Sequence, residues 1–183
     1  MVLRRAAILS IITVALVSGG ACGSGQDSPP SQPELPSLRS SSANTNNTVE
    51  QSALAAYRGM QQAYITAGRT TDPQYGELSR YAEGDALSVL TAGLEANKKQ
   101  GLIIKGEVVL NPQVTELSPP SAPETAKIRD CLDTSGATRV KASPEGSPFV
   151  DAPGGRRVVI ATAKRTGDVW KVISFVPMAV GTC

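Results

Sequence analysis

A single low-complexity stretch sets the limits of this fold. Residues 23–48 contain seven Ser and four Pro, and their only apolar side chains are Leu35, Leu38 and Ala43. So little apolar surface cannot offset the entropy of ordering a backbone, and the stretch reads as a disordered tether. As a coil it would reach roughly 25–30 Å on average. All seven aromatic residues lie beyond Thr48, so the fold is confined to residues 49–183. That is enough chain for one core burying about two-thirds of the unfolded surface, and too little for two domains.

The segment ahead of the tether has the layout of an export signal. Arg4 and Arg5 precede an apolar run over residues 6–17, and Ser18, Gly19, Gly20 and Ala21 lead to Cys22. The run is too short for a bilayer core of about 30 Å, which needs roughly 20 residues. An uncleaved membrane span would have to extend through two glycines to Ala21. The stretch Val17-Ser18-Gly19-Gly20-Ala21-Cys22 is similar to a bacterial lipobox, with Gly19 where that motif prefers leucine. Small side chains suit an extended backbone entering a peptidase groove, and the Cys22 thiolate suits uptake of a diacylglyceryl group. The expected organisation is a signal peptide at residues 1–21, a lipidated Cys22 with its tether at residues 22–48, and one domain at residues 49–183. Lipid on Cys22 would hold that domain at the outer face of a bacterial cell membrane, stably if two or more acyl chains are attached. Secretion without lipid is the competing outcome.

Charge and composition exclude several classes of function. Removing residues 1–21 leaves 16 basic and 16 acidic side chains, without the concentrated positive field that nucleic acid requires. The chain has no histidine, which rules out Ser-His-Asp and Cys-His nucleophiles and His general bases. Two cysteines beyond Cys22 leave a zinc site short of ligands. No G-x-G-x-x-G, P-loop, S-x-x-K or G-x-S-x-G pattern occurs, so no cofactor is expected.

Periodicity within residues 49–183 predicts helices followed by strands. Thr48 and Gln51 form a capping-box pattern ahead of Leu54, Tyr57, Met60, Tyr64 and Ile65 at helical spacing, and Gly68 closes the run. Asp72-Pro73 starts a second helical region, interrupted near Gly84-Asp85 and stopped at Gly101. Strands are expected over residues 102–110, with Asn111-Pro112 as a bulge or break, then over residues 114–117 and 126–133. A Pro/Gly-rich excursion follows, with a hairpin through residues 138–142. Residues 158–164 and 169–178, joined at Thr166-Gly167-Asp168, read as a strong hairpin. Helices first and an antiparallel meander second make an α+β fold.

Two or three helices followed by a curved antiparallel sheet is similar to the NTF2-like (cystatin-like) cone. More narrowly, several stretches resemble a family of small actinobacterial lipoproteins. They are Ala55-Ala56-Tyr57-Arg58-Gly59-Met60, Gly84-Asp85-Ala86-Leu87, Lys105-Gly106-Glu107, Ile128-Arg129-Asp130-Cys131, Pro153-Gly154-Gly155-Arg156-Arg157 and Trp170-Lys171-Val172. The resemblance implies a fold and an envelope location, and no particular activity. It also suggests where chemistry would sit, because NTF2-like isomerases and dehydratases use an Asp or Tyr–Asp arrangement in an apolar cavity. The candidates are Asp130, on one strand face with Ile128 and Leu132, and Asp85, Tyr57, Tyr64 and Tyr81. The alternative is that Asp130 binds an arginine or the backbone and the tyrosines are core.

The cysteine count resolves if Cys22 carries lipid, because Cys131 and Cys183 then remain as a pair in an oxidising compartment. Two free thiols are the other possibility, since spacing does not establish proximity. Two readings of function stay open: an envelope domain binding a small apolar ligand, a peptide or a partner protein, and a small isomerase- or lyase-like enzyme.

Overall fold

The computed structural model describes residues 39–183 apart from residues 72, 74, 144, 146 and 147, with side chains from residue 45 onward. Cys22, the signal peptide and residues 22–38 of the tether lie outside the described residues, as does Asp72 of the expected second helix start.

Among the described residues three helices come first: α1 (Arg39–Gly68), α2 (Gly76–Tyr81) and α3 (Gly84–Lys99). The first begins earlier than the Thr48 cap suggested, so the end of the expected tether is helical. Thr48 lies within that helix, where its carbonyl accepts a bond from Ser52 Oγ at 2.9 Å. Extending a packed helix adds a bond per residue without a new nucleus, so polar residues 39–48 follow Val49 and Ala53 into the helix. The interruption before Gly84 is two extended residues, Ala82 and Glu83, and the backbone of Ala82 bridges to Val172. The next residue repeats the attachment, with Glu83 N–H donating to Val172 O at 2.9 Å. The α2–α3 corner is thereby fastened to the sheet.

Among the described residues six strands follow: β1 (Leu102–Gly106), β2 (Pro112–Ser118), β3 (Thr125–Asp133), β4 (Ala137–Lys141), β5 (Arg156–Thr166) and β6 (Val169–Pro177). β2, β3, β5 and β6 make an antiparallel sheet in that order, and β1 pairs with β4 in a separate two-stranded sheet. The fold is α+β with helices preceding antiparallel strands. It is not a simple meander, because residues 138–142 form no hairpin of their own; β4 returns to β1, with Ile104 opposite Arg139.

The two sheets are continuous through the chain. β2 lies against β3 with Val114 opposite Ile128, and an isolated bridge joins Val109 to Asp133. Gly106 then faces Ala137 at the end of the β1–β4 pair. One long hairpin therefore bends sharply at its middle, where Gly106 has φ +88°. A Cβ on Gly106 would lie 2.0 Å from the Gly136 carbonyl oxygen, so glycine is required twice over at this corner. Pro112 opens β2, a position where its missing N–H costs no ladder bond.

The core lies between α1, α3 and the inward face of the larger sheet. Tyr57, Met60, Leu94, Ile128, Val159 and Val172 are its largest fully enclosed residues on these elements. Trp170 is buried, and Cys131 and Cys183 form a disulfide with a Cα–Cα distance of 5.9 Å. The bridge fixes the final residue to β3, and Gly181 N–H donates to Arg156 O at 2.7 Å beside it. Among the described residues no helix is long and apolar enough to cross a membrane.

Candidate functional site

Helical spacing places Tyr57, Gln61 and Tyr64 on one face of α1, above the sheet. Below them the register sets Ile128, Asp130 and Leu132 of β3 opposite Ala161, Val159 and Arg157 of β5. Of these six positions four are apolar, and the two others are the buried Asp130 and the half-buried Arg157.

Asp130 is fully buried and fully bonded. Its Oδ2 accepts from Tyr57 Oη at 2.9 Å, and its Oδ1 accepts from the Asn111 backbone N–H at 2.6 Å. Gln61 Nε2 donates to Tyr57 Oη at 3.1 Å, which completes a chain of three side chains. The bond to Asn111 has a local cause: the residue opposite Asp130 is Pro112, which has no N–H, and the carboxylate instead holds the residue before it. Burial raises the Asp130 carboxyl above its ordinary value, with the Asn111, Tyr57 and Arg58 interactions pulling against it. Burial first, and the Asp130 charge second, push the Tyr57 phenol far above its ordinary value. Both groups have 0% exposure. The Tyr57–Asp130 pair is a cross-link between α1, β3 and the start of β2, and neither of these two side chains lines the cleft beside it.

Beside this cross-link, between α1, α3 and the end of the sheet, lies a cleft of about 570 Å³. Its apolar walls include Ile65, Leu90, Ile104, Leu132 and Phe175, and Gln61 and Tyr64 bring polar atoms to it. Gly93 of α3 leaves room for the Tyr64 hydroxyl, since a Cβ there would stand 3.0 Å from it. Burial raises the Tyr64 phenol, opposed by the Arg139 charge.

Three charged residues line the cleft: Arg139, Asp151 and Arg157. Arg139 and Asp151 neutralise each other. Arg139 Nε donates to Asp151 Oδ1 at 2.9 Å, and its backbone N–H donates to Oδ2 at 2.7 Å. The guanidinium holds the Asp151 carboxyl below its ordinary value. Among the described residues Arg157 has no such partner, and its Nε is buried with no hydrogen bond.

The sequence candidates therefore separate. Asp130 and Tyr57 meet, and Tyr64 reaches the cleft without them. Tyr81 packs against Gly59 and lines a different, shallower groove with Trp170. Asp85 is exposed in the first turn of α3 and lines neither. Arg157 escaped the sequence reading because Arg156-Arg157 after Gly154-Gly155 looks like a charged turn. The signal that would have found it is period two, as Arg157, Val159, Ala161 and Ala163 share the inward face. Among the described residues no group of His, Cys, Asp or Glu is arranged to hold a metal ion.

No family model matches the chain, and no curated protein matches it. Among solved structures it is similar to the intermembrane-space region of the chloroplast protein ARC6, with a TM-score of 0.54 at 15% identity. The match covers 71% of this chain and 96% of that one, which relates the two folds and nothing further.

Proposed function

We propose that the domain is a binding module of the cell envelope, held at the outer face of the membrane by lipid on Cys22, and that its cleft takes a small apolar ligand. The observation that carries this reading is the cleft itself: about 570 Å³ with mainly apolar walls, in the size range of small-molecule sites. Binding is favoured over acid–base catalysis because the Tyr57–Asp130 pair is spent on joining α1 to the sheet. The Cys131–Cys183 bridge supports export, since such bonds persist in oxidising compartments. Helices against a bent antiparallel sheet, with a cleft opening between them, fit an NTF2-like cone and the resemblance to small envelope lipoproteins.

Metabolic labelling of the producing bacterium with radioactive palmitate tests the anchor. Incorporation that disappears in Cys22→Ala is expected, and an unlabelled wild-type chain would refute lipidation. Displacement of an apolar fluorescent reporter from the purified chain tests the cleft, with quenching by Leu90→Trp as the expected sign that the reporter sits there.

A further inference from the structure

We infer that the cleft selects a monocarboxylate with an apolar body, such as a long-chain fatty acid, and that Arg157 receives the carboxylate. This rests on the reading of the cleft as a ligand site and adds the chemical class of the ligand.

Of the three ionised side chains lining the cleft, Arg139 and Asp151 cancel, which leaves the single positive charge of Arg157. One uncompensated cation among apolar walls complements one anion. Next comes hydrogen bonding. Among the described residues Arg157 Nε is the only buried side-chain nitrogen or oxygen atom without a partner. A native fold seldom leaves such a donor unmet, and here it shows that no carboxylate of the fold is bound along this edge of the guanidinium to offset its charge. Its neighbours do not meet it: Leu132 lies opposite on β3, and the nearby carboxylates Asp130 and Asp151 are taken by Tyr57, Asn111 and Arg139. Asp130 in particular shows that this fold satisfies its buried polar groups where it has the atoms to do so.

The kind of anion follows from the donor. A guanidinium is planar and its two terminal nitrogens present N–H donors in parallel, the geometry a carboxylate accepts with both oxygens. A phosphate monoester at neutral pH brings close to two charges against one. The body of the ligand follows from the walls: Ile65, Leu90, Ile104, Leu132 and Phe175 offer contact area and no further charge. The volume suits a small molecule, so the carboxylate belongs to a free fatty acid and not to a protein terminus.

Photo-crosslinking separates this inference from the reading beneath it. The full chain is irradiated with a diazirine-bearing long-chain fatty acid or with its methyl ester, and labelled peptides are mapped. Residues 89–97 of α3 and residue 104 of β1 should be labelled by the acid at least about tenfold more efficiently than by the ester, as expected for one charge-assisted pair. Arg157→Gln should reduce acid labelling to the ester level and leave the ester unaffected. Its thermal melting should match the wild type, since the donor removed is unmatched in the free protein. Equal labelling by acid and ester in the wild-type chain, which needs no variant, would overturn the carboxylate assignment while keeping the apolar cleft. Labelling of the cleft by neither probe would overturn both. Labelling by the acid that survives Arg157→Gln would remove Arg157 from the site.

Discussion

Replacing Tyr57 by Phe removes one oxygen atom from the core and should have a large effect for so small a change. The hydroxyl donates to a fully buried carboxylate at 2.9 Å and accepts from Gln61 at 3.1 Å. Gln61 is itself only 4% exposed, so neither partner can recover its bond from bulk water. A hydrogen bond to a charged group contributes about 1.5–3 kcal/mol, and an amide donor left unmet costs about 1 kcal/mol more. Tyr57→Phe should therefore destabilise the domain by about 2–4 kcal/mol, lowering its melting temperature by roughly 6–15 °C. The assay is urea unfolding of the wild type, Tyr57→Phe, Asp130→Asn and the double variant. The wild-type slope should be retained in all four, and the two sites should show a coupling of about 1–3 kcal/mol. If Tyr57→Phe unfolds within about 0.5 kcal/mol of the wild type, the pair does not hold α1 to the sheet, and its assignment as a cross-link fails.

The same site gives a pH prediction with a definite sign. Because burial raises the folded-state pKa of Asp130 above the ordinary 3.8, the folded chain keeps a proton that the unfolded chain has released. Stability from this group is full below the ordinary value and declines as pH rises through the raised folded one. Asp130→Asn should thus gain stability relative to the wild type across that window, and a difference independent of pH would contradict the raised value. Replacing Cys131 and Cys183 together by Ser frees a loop with a sequence separation of 52 and should cost about 4 kcal/mol by the chain-entropy relation, measured by calorimetry against the oxidised wild type. Gly106→Ala should lower stability by at least about 2 kcal/mol, from the positive φ and the contact with Gly136 O, whereas Gly76→Ala, in open space, should leave the midpoint nearly unchanged.

Much of the sheet was legible because its signals are local. Alternation along residues 126–133 put Asp130 inside with Ile128 and Leu132, and the turn at Thr166-Gly167-Asp168 marked the β5–β6 hairpin, with Gly167 at φ +62°. Relations that span long stretches of chain were not legible. Nothing near Thr138 announces that its strand will pair with Lys105, and Tyr57 meets Asp130 across 73 residues. The early start of α1 escaped because polar residues 39–48 carry no apolar period of their own. The two arginines after Gly155 look equally solvated in sequence, and only the register of β5 separates Arg156, at the surface, from Arg157, in the cleft.

The bend in the long hairpin has a consequence for how this domain can change over evolutionary time. Residues 119–122 at the hairpin's tip carry no strand pairing and are exposed, so the segment can lengthen or shorten with little effect on the rest. Loss or gain of one residue between Gly106 and Val109 is another matter. It would act as a slipped gear, turning Ile104 outward and Ile103 inward along β1 while β2 kept its place. The cleft wall would be rebuilt without any change in the larger sheet, which makes this corner the place where relatives could diverge in what they hold.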